Sequence, residues 1–266
     1  MDCFATLAMT ERLVALADKY EVASFCDEDP SQFLHWYKKG KANIEVASFI
    51  AAMLAFGNRK QFIPKIRFIL ETADNSAGDI YSWLKNGTYK KDFLRGSNKY
   101  YRFYSYDDMQ IFFDELAGIL NCEKSMGDFF RKRWKEACGK AGGLPTATGP
   151  HLADIISQSF RKSRLVPKGK SSANKRIHMF LRWMVRQNSP VDLGLWDWYP
   201  AADLLIPLDV HVMQEGQKLG LISEKATASR KTAIELTRKM NEVFPGDPAR
   251  ADYALFGIGV DGGFRG

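Results

Sequence analysis

The chain has 266 residues, of which 45% are hydrophobic and 13% aromatic, enough apolar volume for one large domain or two small ones and too much for a disordered polymer. A net charge of +7 and a pI near 9.1 favour a polyanionic partner, because lysines and arginines gain free energy by releasing counterions condensed on phosphates. Apolar residues never run uninterrupted for the roughly 20 positions a helix needs to span a bilayer, so no membrane role is expected.

The opening segment 1–20 carries acids at Asp2 and Glu11 and lacks both a basic start and a long apolar run. It does not read as a secretion signal, and a cytoplasmic protein is expected. Beyond it, apolar positions recur at three- and four-residue spacing and strand-like alternation is scarce, so the fold is expected to be all-α. In chain order the spacing predicts helices over 11–20, 30–38, 44–56, 59–72, 106–120, 125–137, 151–160, 173–186, 210–219, 226–243 and 248–258. Asp29-Pro30 and Asp247-Pro248 each place a cap residue before a proline at the first helical position, and Gly57 and Gly220 follow apolar helices as stops. The stretch 139–149, GKAGGLPTATG, reads as the flexible connection that divides the chain, and 166–172, VPKGKSS, as a second loose segment. No internal repeat is visible, which argues against a solenoid.

Cys3, Cys26, Cys122 and Cys138 lie too far apart for a zinc knuckle or a cluster-binding run, and His35, His151, His178 and His211 make no metal-ligand spacing. No metal or other cofactor is expected.

Charge is unevenly placed. Between positions 161 and 186 stand nine basic residues, Arg161, Lys162, Arg164, Lys168, Lys170, Lys175, Arg176, Arg182 and Arg186, and no acid. A solvated helix face normally interleaves carboxylates, so this run reads as a phosphate-binding segment, with an ordinary basic surface as the plainer alternative. Within it a glycine-containing loop feeds an amphipathic helix, with Ile177, Phe180, Leu181, Met184 and Val185 on the apolar stripe. Free N–H groups at such a helix start suit a phosphate oxygen, and Lys168, Gly169, Lys170, Ser171 and Arg176 are candidate contacts to the phosphates of a polyanion. Lys175 falls in the first turn, where the positive helix end and neighbouring cations disfavour its protonated form and favour a nucleophilic amine. The plainer reading is one more phosphate-contacting lysine. Asp209 is the only carboxylate in the apolar run 204–212, LLIPLDVHV. A lone acid there is capped, paired or catalytic, and an N-cap for a helix starting at Val210 is compatible with chemistry.

Lys175 with Ala173 and Arg176 at a hairpin-to-helix entry, then IPLDVHV, then Lys218-Leu219-Gly220-Leu221, resembles the catalytic core of the helix-hairpin-helix DNA glycosylase superfamily. The likeness is closest to an uncharacterised bacterial family and to the archaeal-type 8-oxoguanine DNA glycosylases, which share the look of 247–260, DPARADYALFGIGV, and the long spacing of 34 residues from lysine to aspartate. The helix and turn at 49–62, FIAAMLAFGNRKQF, is similar to the superfamily's early helix whose end faces the opened duplex. The resemblance implies one glycosylase-like unit over 1–266, with helical subdomains at 30–140 and 150–260 flanking a DNA-binding groove and the N-terminal segment packing on the second. It implies Lys175 as the Schiff-base nucleophile at C1′ and Asp209 as the carboxylate that assists it and stabilises positive charge on the sugar. Asn58 and Arg59 would contact DNA at the gap left by a flipped base, and His211 would hold its loop or touch a phosphate. Trp183, Trp198 and Phe256 are candidates for the base pocket, each with a core role as the plainer reading. No cysteine quartet stands near the C-terminus, so the iron–sulfur cluster of some relatives is not expected.

The expected function is a base-excision-repair glycosylase with AP-lyase activity on an oxidised purine such as 8-oxoguanine, acting as a monomer on double-stranded DNA that carries a damaged base or an abasic site, in the cytoplasm at the bacterial nucleoid. The alternative is a non-catalytic nucleic-acid-binding protein that keeps the fold. A helical scaffold without a nucleic-acid role is disfavoured by the basic run.

Overall fold

A computed structural model describes residues 3–140 and 150–261. Among them the helices in chain order are α1 (Cys3–Tyr20), α2 (Lys41–Leu54), α3 (Arg59–Ala77), α4 (Ile80–Lys85), α5 (Tyr89–Asp92), α6 (Tyr106–Cys122), α7 (Met126–Lys140) and α8 (Leu152–Ser159). The series continues with α9 (Lys175–Val185), α10 (Val210–Lys218), α11 (Arg230–Val243) and α12 (Ala251–Val260). The protein is mostly helical, as expected for an all-α chain, with one short antiparallel hairpin of β1 (Lys99–Tyr101) and β2 (Tyr104–Ser105). No helix of the described residues is long and apolar enough to cross a membrane.

Local chemistry sets the boundaries. Asn58 starts α3 by accepting the Lys60 N–H, and Gly78 ends it in a left-handed conformation (φ 82). Ser105 and Asp108 form a reciprocal capping box at α6, and Ser229 caps α11, which is why the helix expected from 226 begins only at Arg230. The expected start at 173 moves to Lys175 because Asn174 is itself left-handed (φ 46), a conformation no α-helix continues. Where a helix over 30–38 was expected, a 3-10 helix covers Pro30–His35. Trp36 Nε1 and Tyr37 Oη both donate to Asp74, at 2.8 and 2.6 Å, and these bonds tie the chain to α3 instead of extending the turn.

Two compact units divide the chain, one of Asp27–Lys168 and the other of Met1–Cys26 with Gly169–Gly266. The division falls at 168/169, whereas it was expected at 139–149, a stretch whose residues 141–149 lie outside the described ones. α8 belongs with the earlier helices for a packing reason: Phe160, which follows it, stacks on Phe49 of α2 at 5.0 Å, and Ser157 Oγ donates to the Pro167 carbonyl.

The Asp27–Lys168 unit has an aromatic core in which Trp83, Phe93 and Phe113 meet edge to face at 5.1–5.7 Å. The other unit has an aliphatic core that draws Leu13 and Ala17 from α1, Ile206 and Leu208 from the run before α10, Leu236 and Met240 from α11, and Ala254 and Leu255 from α12. α1 packs along α12, where Gly257 allows close approach: a Cβ there would collide with the Tyr20 ring. The N-terminal helix is thus an integral layer of the unit that carries Lys175 and Asp209.

Candidate functional site

Lys175 is the first residue of α9, and its position is fixed by the loop before it. Arg230 N–H donates to the Ser171 carbonyl at 2.8 Å and Ser172 bridges Ser229, so the loop is fastened to the start of α11. Asn174 Nδ2 donates to the Gly169 carbonyl at 3.1 Å, closing the loop on itself beside Gly169, whose φ of +116 suits glycine. From Ile177 to Val185 the helix is buried, while the Lys175 side chain keeps 39% of its surface exposed. The nucleophile candidate therefore stands at the start of a buried helix with its side chain partly open to solvent.

Asp209 comes from the buried run Leu204–Leu208 and caps α10. Its two oxygens divide the work. Oδ1 accepts the Val212 N–H at 2.9 Å, and Oδ2 accepts from Lys175 Nζ at 2.6 Å. The structural and chemical roles read from the sequence for this residue coexist because they use different atoms. Burial pushes the Asp209 carboxyl up, but Lys175, the Val212 N–H and the nearby His211 outweigh it and hold the group below the usual carboxylate range. It stays ionised at neutral pH, a fixed negative charge beside the amine.

Behind the pair lies a charge network that sequence reasoning passed over. The guanidinium of Arg182, almost fully buried, contacts Asp252 and reaches Asp192 at 3.3 Å. Arg186, equally buried, pairs with Glu21 and Asp247, each at 2.8 Å, and with Asp192. Tyr253 lies under Arg182, 4.3 Å from ring centroid to guanidinium, and donates its hydroxyl to Asp192 at 3.1 Å. Burial pushes the Asp252 carboxyl up, opposed by Arg182 and Lys175 and reinforced by Asp209, which places Asp252 within electrostatic reach of the pair.

These pairings correct the reading of 161–186 as an unpaired basic run. Arg182 and Arg186 are neutralised inside the protein by acids outside the run, Asp192 just beyond it and Glu21, Asp247 and Asp252 from distant segments, and are not available to phosphates. Arg164, exposed, has Asp108 at 3.6 Å. The run is also split, since Arg161 to Lys168 belong to one unit and Lys170 onward to the other. Lys168 is exposed and donates to the Arg161 carbonyl at 2.7 Å, while Gly169, Lys170 and Ser171 form exposed loop. Arg176 is half-buried in the first turn of α9, and His211 is exposed in the first turn of α10. Lys175, Asp209, Arg176 and His211 share one unit.

Asn58 and Arg59 belong to the other unit. Both are exposed; Asn58 caps α3 and Arg59 has Asp29 at 3.4 Å. Of the base-pocket candidates, Trp183 is corrected to a core residue: it is fully buried and offers no face to a base. Trp198 is half-buried and stacks on Trp196 at 5.4 Å, and Phe256 is half-buried with its ring edge-on to Tyr20 and Phe25. Among the described residues no group of three or more His, Cys, Asp or Glu could hold a metal ion.

The sequence matches no curated protein and no solved structure. It does match, over residues 29–261, the family described as protein of unknown function (DUF2400), a span that includes Lys175, Asp209 and the Arg182–Asp252 contact, and the chain belongs to that family.

Proposed function

We propose that the protein is a DNA repair glycosylase with AP-lyase activity, acting through an imine on Lys175 and removing an oxidised purine such as 8-oxoguanine. The observation that carries this reading is the Lys175 Nζ to Asp209 Oδ2 contact of 2.6 Å, between a half-exposed amine at a helix start and the one carboxylate of an apolar run 34 residues away. The resemblance of the flanking segments to the helix-hairpin-helix glycosylases supports it, and so does the basic character of the chain.

In this mechanism Lys175 first gives its ammonium proton to water on its exposed side, and the freed Nζ lone pair forms a bond to C1′ as the C1′–N glycosidic bond breaks, its electrons leaving with the base, which takes up a proton from solvent. Opening of the sugar by cleavage of C1′–O4′, with a proton passing from Nζ to O4′, leaves a protonated imine between Nζ and C1′. Loss of a C2′ proton then expels the 3′ phosphate and cuts the strand. Because Asp209 is held ionised, it is a poor proton store and a good electrostatic partner. Its main work is to fix the amine and to stabilise positive charge that develops on the sugar, a contribution of about 10²- to 10³-fold for one well-placed group. The network behind it keeps α9 and α12 in register, so the amine is positioned by packing and not by the ion pair alone.

The test is borohydride trapping of the full-length protein on duplexes that contain 8-oxoguanine or an abasic site. A covalent adduct is expected with the wild type, absent with Lys175→Ala and slowed by about 10²-fold with Asp209→Asn. No adduct on either substrate would overturn the reading, and salt-sensitive binding without an adduct would replace it with a non-catalytic nucleic-acid-binding role.

A further inference from the structure

We propose that the tip of the hairpin, Arg102 and Phe103, is a second DNA-contacting surface that stacks on a base left exposed where the duplex is interrupted. This deepens the reading of the protein as a DNA enzyme and rests on it for the identity of the partner.

The strands pair Lys99 with Ser105 and Tyr101 with Tyr104, so Arg102 and Phe103 alone make the turn. The first residue of such a turn normally is glycine when it adopts positive φ, yet here it is Arg102 at φ 51. A left-handed residue with a long side chain is disfavoured locally, and conformations of that kind gather at functional surfaces. The ring beside it is also placed against the usual preference. Tyr101 and Tyr104 on either side are 4% and 2% exposed, whereas Phe103 is 55% exposed. Its ring rests on Tyr104 at 4.5 Å and on Phe56 at 5.5 Å, contacts that hold it in one orientation while half of its surface meets solvent.

The turn that follows α2 completes the surface. Arg102 lies 5.8 Å from the Phe56 ring, and a Cβ at Gly57 would collide with its guanidinium, so the two segments are in close contact. Tyr101 Oη donates to the Phe56 carbonyl and locks them together. Arg102 has no carboxylate within ion-pair distance among the described residues, and Lys60 and Lys99 are exposed nearby in sequence to the two segments. One exposed aromatic ring with a guanidinium beside it in the same turn is small for a protein-docking patch and complementary to a nucleic acid, with the ring stacking on a base and the guanidinium meeting a phosphate.

The experiment uses the full chain and a duplex in which 2-aminopurine lies next to a tetrahydrofuran abasic analogue. The wild type is expected to change the 2-aminopurine emission on binding. Phe103→Ala should lose that change and bind the interrupted duplex about tenfold more weakly, and Phe103→Trp should restore both. Phe103 lies outside the buried core, so the variants should remain folded with at most a small loss in melting temperature, which a thermal scan verifies. If Phe103→Ala matches the wild type in emission and affinity, the hairpin assignment is overturned, and a Lys175-dependent borohydride adduct in that same variant would leave the enzyme reading standing. If DNA is not bound by any form, or if Phe103→Ala alters only self-association in sedimentation, the tip is not a DNA contact. Loss of the emission change together with no adduct in any form would support the hairpin and sink the Lys175 chemistry.

Discussion

Helix α9 carries cations at both ends, and the two ends are built in opposite ways. At its start, Lys175 keeps 39% of its side chain exposed and meets one carboxylate, whose other oxygen is engaged in a helix cap. Two turns on and beyond, Arg182 and Arg186 are 4% and 2% exposed and meet Glu21, Asp192, Asp247 and Asp252 between them. A buried guanidinium cannot be left without partners, because its desolvation is costly, whereas a half-exposed ammonium can. The buried end is therefore structural and cannot tolerate loss of a member. The exposed end can lose its partner without leaving a buried charge behind, which is what the proposed chemistry asks of it.

The sharpest way to break this comparison is at Arg186. Arg186→Ala removes one cationic partner from three carboxylates at once, two of them almost fully buried, and is expected to destabilise the protein by about 3–5 kcal/mol in denaturant unfolding. An effect under about 1 kcal/mol would show that water reaches the network and that its burial has been overstated.

The same contrast explains what could be read from the sequence. Asp209 stood out because it is one acid in an apolar run, and Lys175 because it opens an amphipathic helix after a glycine-containing loop. Three of the four partners of Arg182 and Arg186 could not be read, since Asp247, Asp252 and Glu21 lie 61, 70 and 165 residues away and nothing in 161–186 points to them, while Asp192 stands six residues past Arg186. An acid-free segment is thus not an unpaired one. Asp252 was within reach of the argument used for Asp209, because it is the only carboxylate of ADYALFGIGV in α12. Periodicity showed the long helices and missed α4 and α5, which at six and four residues are shorter than the period needs to declare itself. The hairpin was missed for the same reason, with strands of three and two residues.

A smaller effect separates the two oxygens of Asp209. Asp209→Ala removes both the cap and the charge and should cost about 1 kcal/mol in stability, whereas Asp209→Asn keeps a good cap residue and should cost less. Adduct formation is expected to fall in both variants. If Asp209→Asn were trapped as fast as the wild type, the carboxylate would be a cap and nothing more.

Lys175→Ala should change stability by no more than about 1 kcal/mol, the range for a pair open to solvent, while abolishing the adduct. That combination, small in unfolding and complete in trapping, is the signature expected of the exposed end and the reverse of Arg186→Ala.

The finest distinction is in titration. Asp209 is held below its ordinary value by Lys175, so the stabilisation it provides is present above the unfolded carboxylate pKa and is lost only as pH falls through the lower folded one. Asp252 is pushed the other way by burial: the folded state holds its proton more tightly than the unfolded chain, so ionising it as pH rises through that window works against folding. Carboxyl-detected NMR should therefore find Asp209 titrating below the ordinary carboxylate range and Asp252 above it. In Lys175→Ala both should rise, since the ammonium lowers each of them, and the larger movement is expected at Asp209, whose oxygen is in direct contact with it. Equal movement at the two carboxylates would mean that the amine sits between them as a shared counter-ion and is not committed to Asp209, which would move Asp252 from the supporting network into the site itself.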